Sequence, residues 1–117
     1  MIFYDKGKAE NTRENVGVIK GKIVGRHPFT GDARPESTAF KMIGEMTLSP
    51  GASIAFHVHE ADEEIYIITA GKGVYTDTDK KEYPVAVGDI TLARRGEGHA
   101  LANTGDGVLS FTAVIAE

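Results

Sequence analysis

From Phe40 to Leu48 the chain alternates. Phe40, Met42, Gly44, Met46 and Leu48 fall on one face, while Lys41, Glu45 and then Ser49 fall toward the other. A period of two marks a half-buried strand, and Ser49-Pro50-Gly51 closes it with a turn. Looser alternation or β-branched richness predicts further strands at Val16–Val24, Ser53–His59, Ile65–Thr69, Val74–Thr76, Glu82–Val87, Ile90–Ala93, His99–Asn103 and Val108–Ala116. Turn signals separate them at Glu60–Glu63, Ala70–Gly73, Asp77–Lys80, Gly88-Asp89 and Thr104–Gly107. Lys6–Asn15 is polar and reads as loop or a short edge element. Pro28, Gly31, Asp32 and Pro35 mark a loop from about Arg26 to Thr38. No segment carries the apolar stripe of a helix. About nine short strands with no helix between them predict an all-β antiparallel sandwich or barrel.

Composition narrows the function classes. With 117 residues, one domain spanning 1–117 is expected, large enough for a single core. The net charge of −4, without a Lys/Arg block, argues against a nucleic-acid partner. No apolar run approaches the roughly 18 residues of a membrane span, and the N-terminus carries charge where a signal peptide needs its apolar stretch. Cysteine is absent, which removes disulfides, thiolate nucleophiles and zinc fingers and suits a reducing, cytoplasmic location. The 14 glycines are spread along the chain, as many turns require. Gly71-Lys72-Gly73 is not followed by a helix, so it is no phosphate loop, and Asp77-x-Asp79 lacks the Gly and Glu of a calcium loop.

Candidate chemistry rests on the four histidines. His57-Val58-His59 places two imidazoles on one face of a strand, about 7 Å apart along the backbone. That spacing lets two nitrogens converge on one ion. Glu64 follows at the head of the next strand, and His99 heads another. Three imidazoles and a carboxylate form a borderline N/O set suited to one divalent transition metal ion (Mn, Fe, Co, Ni, Cu or Zn), not Ca or Mg. Four protein ligands would leave an octahedral ion two open positions for a substrate. His27 stands beside Pro28 in the expected loop and reads as a surface residue. Arg94 and Arg95 read as solvated loop charges.

The spacing of these residues resembles the cupin family. The first cupin motif is matched by Gly51, His57-Val58-His59, Glu64 and Gly71. The second is matched by Gly88, Gly96, His99 and Asn103, with Arg94 standing where the motif has proline. The resemblance implies a single-domain jelly-roll barrel, with an N-terminal arm over about residues 1–38 and the motif-bearing barrel over about 39–117. It implies His57, His59, Glu64 and His99 as metal ligands. It also implies a homodimer paired through N-terminal strands. The chain looks most like small cupins labelled oxalate decarboxylase-like. That makes a metal-dependent enzyme acting on a small carboxylate the expected function, with manganese as the metal for oxalate chemistry. A dioxygenase, a sugar-acid isomerase or lyase, and a non-catalytic binding or sensor module are the competing classes. The pocket wall is expected from Phe40, Met42, Met46 and Leu48. Tyr66 either shares that cavity with Glu64 or packs with its hydroxyl at the rim.

Overall fold

Eleven β-strands and no α-helix occur among the residues described by the computed structural model, 1–6, 10–29 and 33–117. The strands are β1 (Glu10–Glu14), β2 (Ile19–Lys20), β3 (Lys22–Phe29), β4 (Phe40–Leu48), β5 (Ser53–Val58), β6 (Glu63–Ala70), β7 (Lys72–Thr76), β8 (Glu82–Ala86), β9 (Ile90–Ala93), β10 (Gly98–Ala102) and β11 (Leu109–Ala116). They form a six-stranded sheet ordered β1-β3-β4-β11-β6-β9 and a five-stranded sheet ordered β2-β5-β10-β7-β8. Every pairing is antiparallel. No helix among the described residues is long and apolar enough to cross a membrane.

The inward faces of the two sheets meet over Ile23, Leu48, Ile68, Leu101, Leu109 and Phe111, all essentially removed from water. Burial of this branched and aromatic surface is what holds two sheets face to face. The turn from β6 into β7 brings its backbone against the last strand. A Cβ at Gly71 would stand 2.2 Å from the Val108 carbonyl oxygen, and Gly71 has φ +79°, so only glycine fits there.

Three features depart from the strand pattern expected from the sequence, each for a local reason. The expected strand Val16–Val24 is divided. Val16 opens a turn closed by a hydrogen bond from Ile19 N to Val16 O, and Gly21 at φ +80° separates β2 from β3. The chain thereby changes sheets, and residues 10–29 supply strands to both. Next, β3 runs on through His27 and Pro28 to Phe29, where a loop was expected from Arg26. Proline is tolerated there because the β3–β4 register shifts between Arg26 and Phe29, which frees the missing N–H from the ladder. Gly31 and Asp32 of the expected loop lie outside the described residues, as do Gly7, Lys8 and Ala9 of Lys6–Asn15. Finally, the alternation of β4 breaks at its start. Ile115 faces Met42 but Ala116 faces Phe40, so β4 spends one extra residue and Phe40 leaves the inward face. Phe40 is 51% exposed and lines an outer apolar groove with Ile2, Pro28, Pro35 and Ile43, not the inner cavity expected for it.

Candidate metal centre

His57 and His99 are direct cross-strand partners on β5 and β10. His59 lies just past β5 and is fixed by two backbone bonds. Its N–H donates to the Glu97 carbonyl at 3.0 Å, and its carbonyl accepts from Gly96 N at 2.7 Å. The three imidazoles form a nearly equilateral group with ring centroids 4.8–5.0 Å apart. Glu64 reaches them from β6 of the facing sheet. Its Oε1 lies 3.1 Å from His59 Nε2 and 3.0 Å from His99 Nε2, and those two nitrogens are 3.0 Å apart. One ligand atom from each of the four residues lies within 4.8 Å of every other.

The second ring nitrogen of each histidine is already engaged. His57 Nδ1–H donates to the Ala55 carbonyl at 2.8 Å, and His59 Nδ1–H donates to Asp62 Oδ1 at 2.7 Å. His99 Nδ1 lies 2.9 Å from the Tyr75 hydroxyl. This is the outer-shell pattern of metal-ligating histidines, with Nδ1 fixed and Nε2 presented. Asp62 is held in turn by Lys41 Nζ at 2.9 Å. Glu64 Oε1 and the Nε2 atoms of His59 and His99 are also spaced for one ion, because two donors at right angles on a bond of about 2.1 Å stand about 3.0 Å apart.

Charges in the centre follow from these contacts. The hydrogen bond with Glu64, outweighing burial, raises the His59 pKa above 6.5, and Asp62 adds to it. Burial chiefly lowers His57. Burial opposes ionisation of Glu64, but hydrogen bonds with His59 and His99 overcome it and hold the carboxylate low. Asp62 behaves likewise between Lys41 and His59. Burial lifts Tyr66 well above the usual phenol value and Tyr75 to about 12, so both hydroxyls stay protonated near neutrality.

His57, His59 and Glu64 open onto a cavity of about 400 Å³ between the sheets. Met42, Met46 and Tyr66 line it; Leu48 is packed in the core instead. Tyr66 is 2% exposed and stacks on His99 with centroids 4.9 Å apart and planes 18° apart, so its ring lies inside, not at a rim. His27 also lines this cavity, half-buried, which corrects its reading as a surface residue. Its signal was the alternation Ile23-Gly25-His27, masked by the neighbouring Pro28. Asp62, Tyr75 and Lys41 were missed as orienting residues. Only the separation of three between His59 and Asp62 across a turn hinted at any of them.

Arg94 and Arg95 are exposed. Arg94 pairs with Glu97 at 2.7 Å, and its backbone N–H donates to the same carboxylate oxygen at 3.0 Å. That pairing closes the turn where the motif has proline. Asn103 is structural: its amide donates to the carbonyls of Leu48 and Gly107, and its Oδ1 accepts from Gly105 N.

Comparison with known proteins agrees with the fold. The cupin domain family model (Cupin_2) matches residues 44–115. A Thermotoga maritima protein described as an oxalate-binding protein is 36% identical over 96 residues, 82% of this chain and 77% of its own. A crystal structure described as a predicted oxalate decarboxylase, also from Thermotoga maritima, superposes with a TM-score of 0.85 at 32% identity, covering 99% of this chain and 98% of that one. A structure described as a sugar phosphate isomerase from a cupin superfamily, from Silicibacter pomeroyi, gives a TM-score of 0.67 at 28% identity over 81% of this chain and 59% of its own.

Proposed function

The chain belongs to the cupin domain family, and from that premise we propose that it holds one divalent transition metal ion on His57, His59, Glu64 and His99 and binds a small carboxylate there. The observation that carries this reading is the engaged Nδ1 of all three histidines, with the free Nε2 atoms of His59 and His99 within 3.1 Å of Glu64 Oε1 and one ligand atom of each of the four residues within 4.8 Å of the others. A bound ion would supply a Lewis acid with open positions for carboxylate oxygens. Manganese is the first candidate, and the relatives' names make oxalate the first ligand to try.

The chain's own residues do the rest. Asp62, Ala55 and Tyr75 orient the imidazoles. Met42, Met46 and Phe111 give the cavity an apolar wall, and low polarity there strengthens attraction between an anion and a cationic centre. Binding ranks ahead of decarboxylation because turnover needs a proton donor that does not hold the metal. Among the described lining residues those donors are His27 and Tyr66, and burial makes Tyr66 a reluctant one. A sugar derivative would need more polar partners than this wall offers.

Thermal melting tests the reading. Oxalate at about 100 times its Kd should stabilise metal-loaded protein by about 2.7 kcal/mol, on the order of 10 °C in Tm for a domain this size. Chelator-stripped protein should not respond. Equal shifts in both forms would place the anion elsewhere, and no shift with oxalate or any other small carboxylate would overturn the ligand class. A parallel assay for carbon dioxide and formate separates turnover from binding.

We also propose a homodimer. All five residues of the edge strand β1 are exposed, and Met1, Ile2 and Phe3 stand out in solvent. A second copy would cover such an edge. Sedimentation should give twice the 12.5 kDa chain mass at micromolar concentration, and a mass of one chain would refute it.

A further inference from the structure

Away from the four clustered residues, the described lining of the metal cavity holds three polar side chains: Tyr66, His27 and Arg13. The last two come from neighbouring strands of the six-stranded sheet. Arg13 on β1 faces Ile23 in register, and Asn11 faces Gly25, so Asn11 and Arg13 share the face from which Ile23, Gly25 and His27 line the inner side of β3.

The His27 ring lies flat across two glycines. A Cβ at Gly25 would come within 2.3 Å of its Cε1 and 3.1 Å of its Nδ1. A Cβ at Gly44 would come within 2.7 Å of its Cδ2 and 3.1 Å of its Nε2. The Nδ1 edge therefore sits over β3, and the Nε2 edge sits over β4, one strand nearer to Glu64. Two bare positions on adjacent strands let the imidazole lean toward the metal centre. Asn11 Nδ2 lies 3.4 Å from Nδ1 and is placed to donate to it, which leaves the proton of the neutral ring on Nε2, over β4. Burial, and then the charge of Arg13, keeps the ring neutral near pH 7. Arg13 is exposed at the cavity mouth and has no carboxylate partner among the described residues, unlike Arg26, Arg34 and Arg94. From β4 to the Glu64 strand is two strand spacings, about 10 Å. A ligand with one anionic end at the metal centre can present its other end to His27 and Arg13.

We propose that Arg13 and His27 form a second anion subsite at the cavity mouth, which takes the carboxylate remote from the metal centre and selects a dicarboxylate over a monocarboxylate. The subsite rests on the carboxylate reading above and adds its class: a diacid whose two carboxylates are separated by one or more carbons. Arg13 supplies the charge and a planar fork of donors, and His27 supplies one directed N–H. Neither is a metal ligand.

Calorimetric titration of manganese-loaded protein with malonate, succinate and acetate tests this, because oxalate, whose carboxyl carbons are directly bonded, is too short to reach from the metal centre to a subsite two strands away. Arg13→Gln and His27→Ala should each weaken the tighter diacid by about tenfold or more, the loss expected for a hydrogen bond to a charged group. Acetate affinity and manganese content should stay at the wild-type level. Gly25→Ala, which keeps every functional group but displaces the ring, should also weaken the diacid. Should His27→Ala fail to fold, Arg13→Gln on the exposed strand reads the same subsite. Wild-type binding of the diacid with no loss in the variants overturns the subsite alone. So does an equal loss for acetate and diacid. If wild-type protein binds none of the three, the carboxylate reading falls and the subsite with it.

Discussion

Replacing His59 with alanine should lower metal affinity by more than about 100-fold. An orienting partner alone is worth about 10–100-fold, and a ligand is worth more than its support. His59 stands at the middle of the cluster. Its Nε2 is 3.1 Å from Glu64 Oε1 and 3.0 Å from His99 Nε2, while Nδ1 is tied to Asp62 at 2.7 Å. His57→Ala, Glu64→Ala and His99→Ala should fall in the same class. Asp62→Asn should cost about 10–100-fold, because the ring loses the anion that fixes its tautomer while every ligand remains. His27→Ala should leave metal content unchanged. Metal analysis after gel filtration, with competition against a chromogenic chelator, gives the ranking. Equal loss at His27 and His59 would move the ion away from the four-residue cluster. Because His99 keeps its 3.0 Å contact to Glu64, the His59→Ala variant does not leave the buried carboxylate alone.

This ranking separates what strand geometry makes visible from what it hides. His57 and His59 were legible because residues two apart in extended chain share a face wherever no bulge intervenes. Glu64 and His99 were legible from the cupin spacing. That they face one another also follows from the sheets: β6 lies in one and β10 in the other, and their inward residues oppose. The residues that tune the centre were not legible. Ala55 acts through a backbone carbonyl, which carries no signature in a side-chain pattern. Tyr75 reaches His99 because β7 neighbours β10, a pairing between strands far apart in sequence. Asp62 looked like any charge in a turn.

The misplaced residues share another cause. Period-two reasoning assumes an unbroken ladder, and this protein breaks its ladder where the strands enter the cavity wall. One extra residue at the start of β4 turns Phe40 outward, although Phe40 and Met42 stand two apart. A register shift around Pro28 keeps His27 in a strand, although proline usually announces a loop. Gly21 divides one apparent strand between two sheets. Bulges re-aim side chains at the price of regularity, so the inner wall is where the pattern fails and the fold class is where it holds. Gly25 and Gly44 carried no signal of their own, Gly44 counting only as one position of the Phe40–Leu48 alternation. In the structure they are the floor on which His27 rests.

Metal loading should weaken as pH falls, beginning above pH 6.5. The ion competes with protons for imidazole nitrogens. In the metal-free fold the pKa of His59 is raised above 6.5, mainly by its hydrogen bond with Glu64, so a proton already opposes the ion there near neutrality. Burial lowers His57, which joins the competition only at more acid pH. Apparent affinity should therefore fall about tenfold per pH unit on first acidification, one proton being displaced, and more steeply below. The contribution of His59 to the stability of the metal-free protein runs the opposite way. A raised pKa in the fold means that protonated His59 contributes stability fully present below about pH 6.5, the ordinary His value, and lost as pH rises through its folded value. Glu64 and Asp62 are held low, so their contribution is present above the ordinary carboxylate range and is lost as pH falls through their folded values. His59, Glu64 and Asp62 together therefore favour the metal-free fold most between the carboxylate range and pH 6.5, while His57 and His27, whose values burial lowers, oppose this by losing stability as pH falls below 6.5. Manganese-loaded protein should gain on it steadily from pH 5.5 to pH 8. Melting curves of both forms across that range test the linkage. A metal-induced rise in Tm that stays constant from pH 8 to 5.5 would mean that no imidazole in the cluster gives up a proton to the ion.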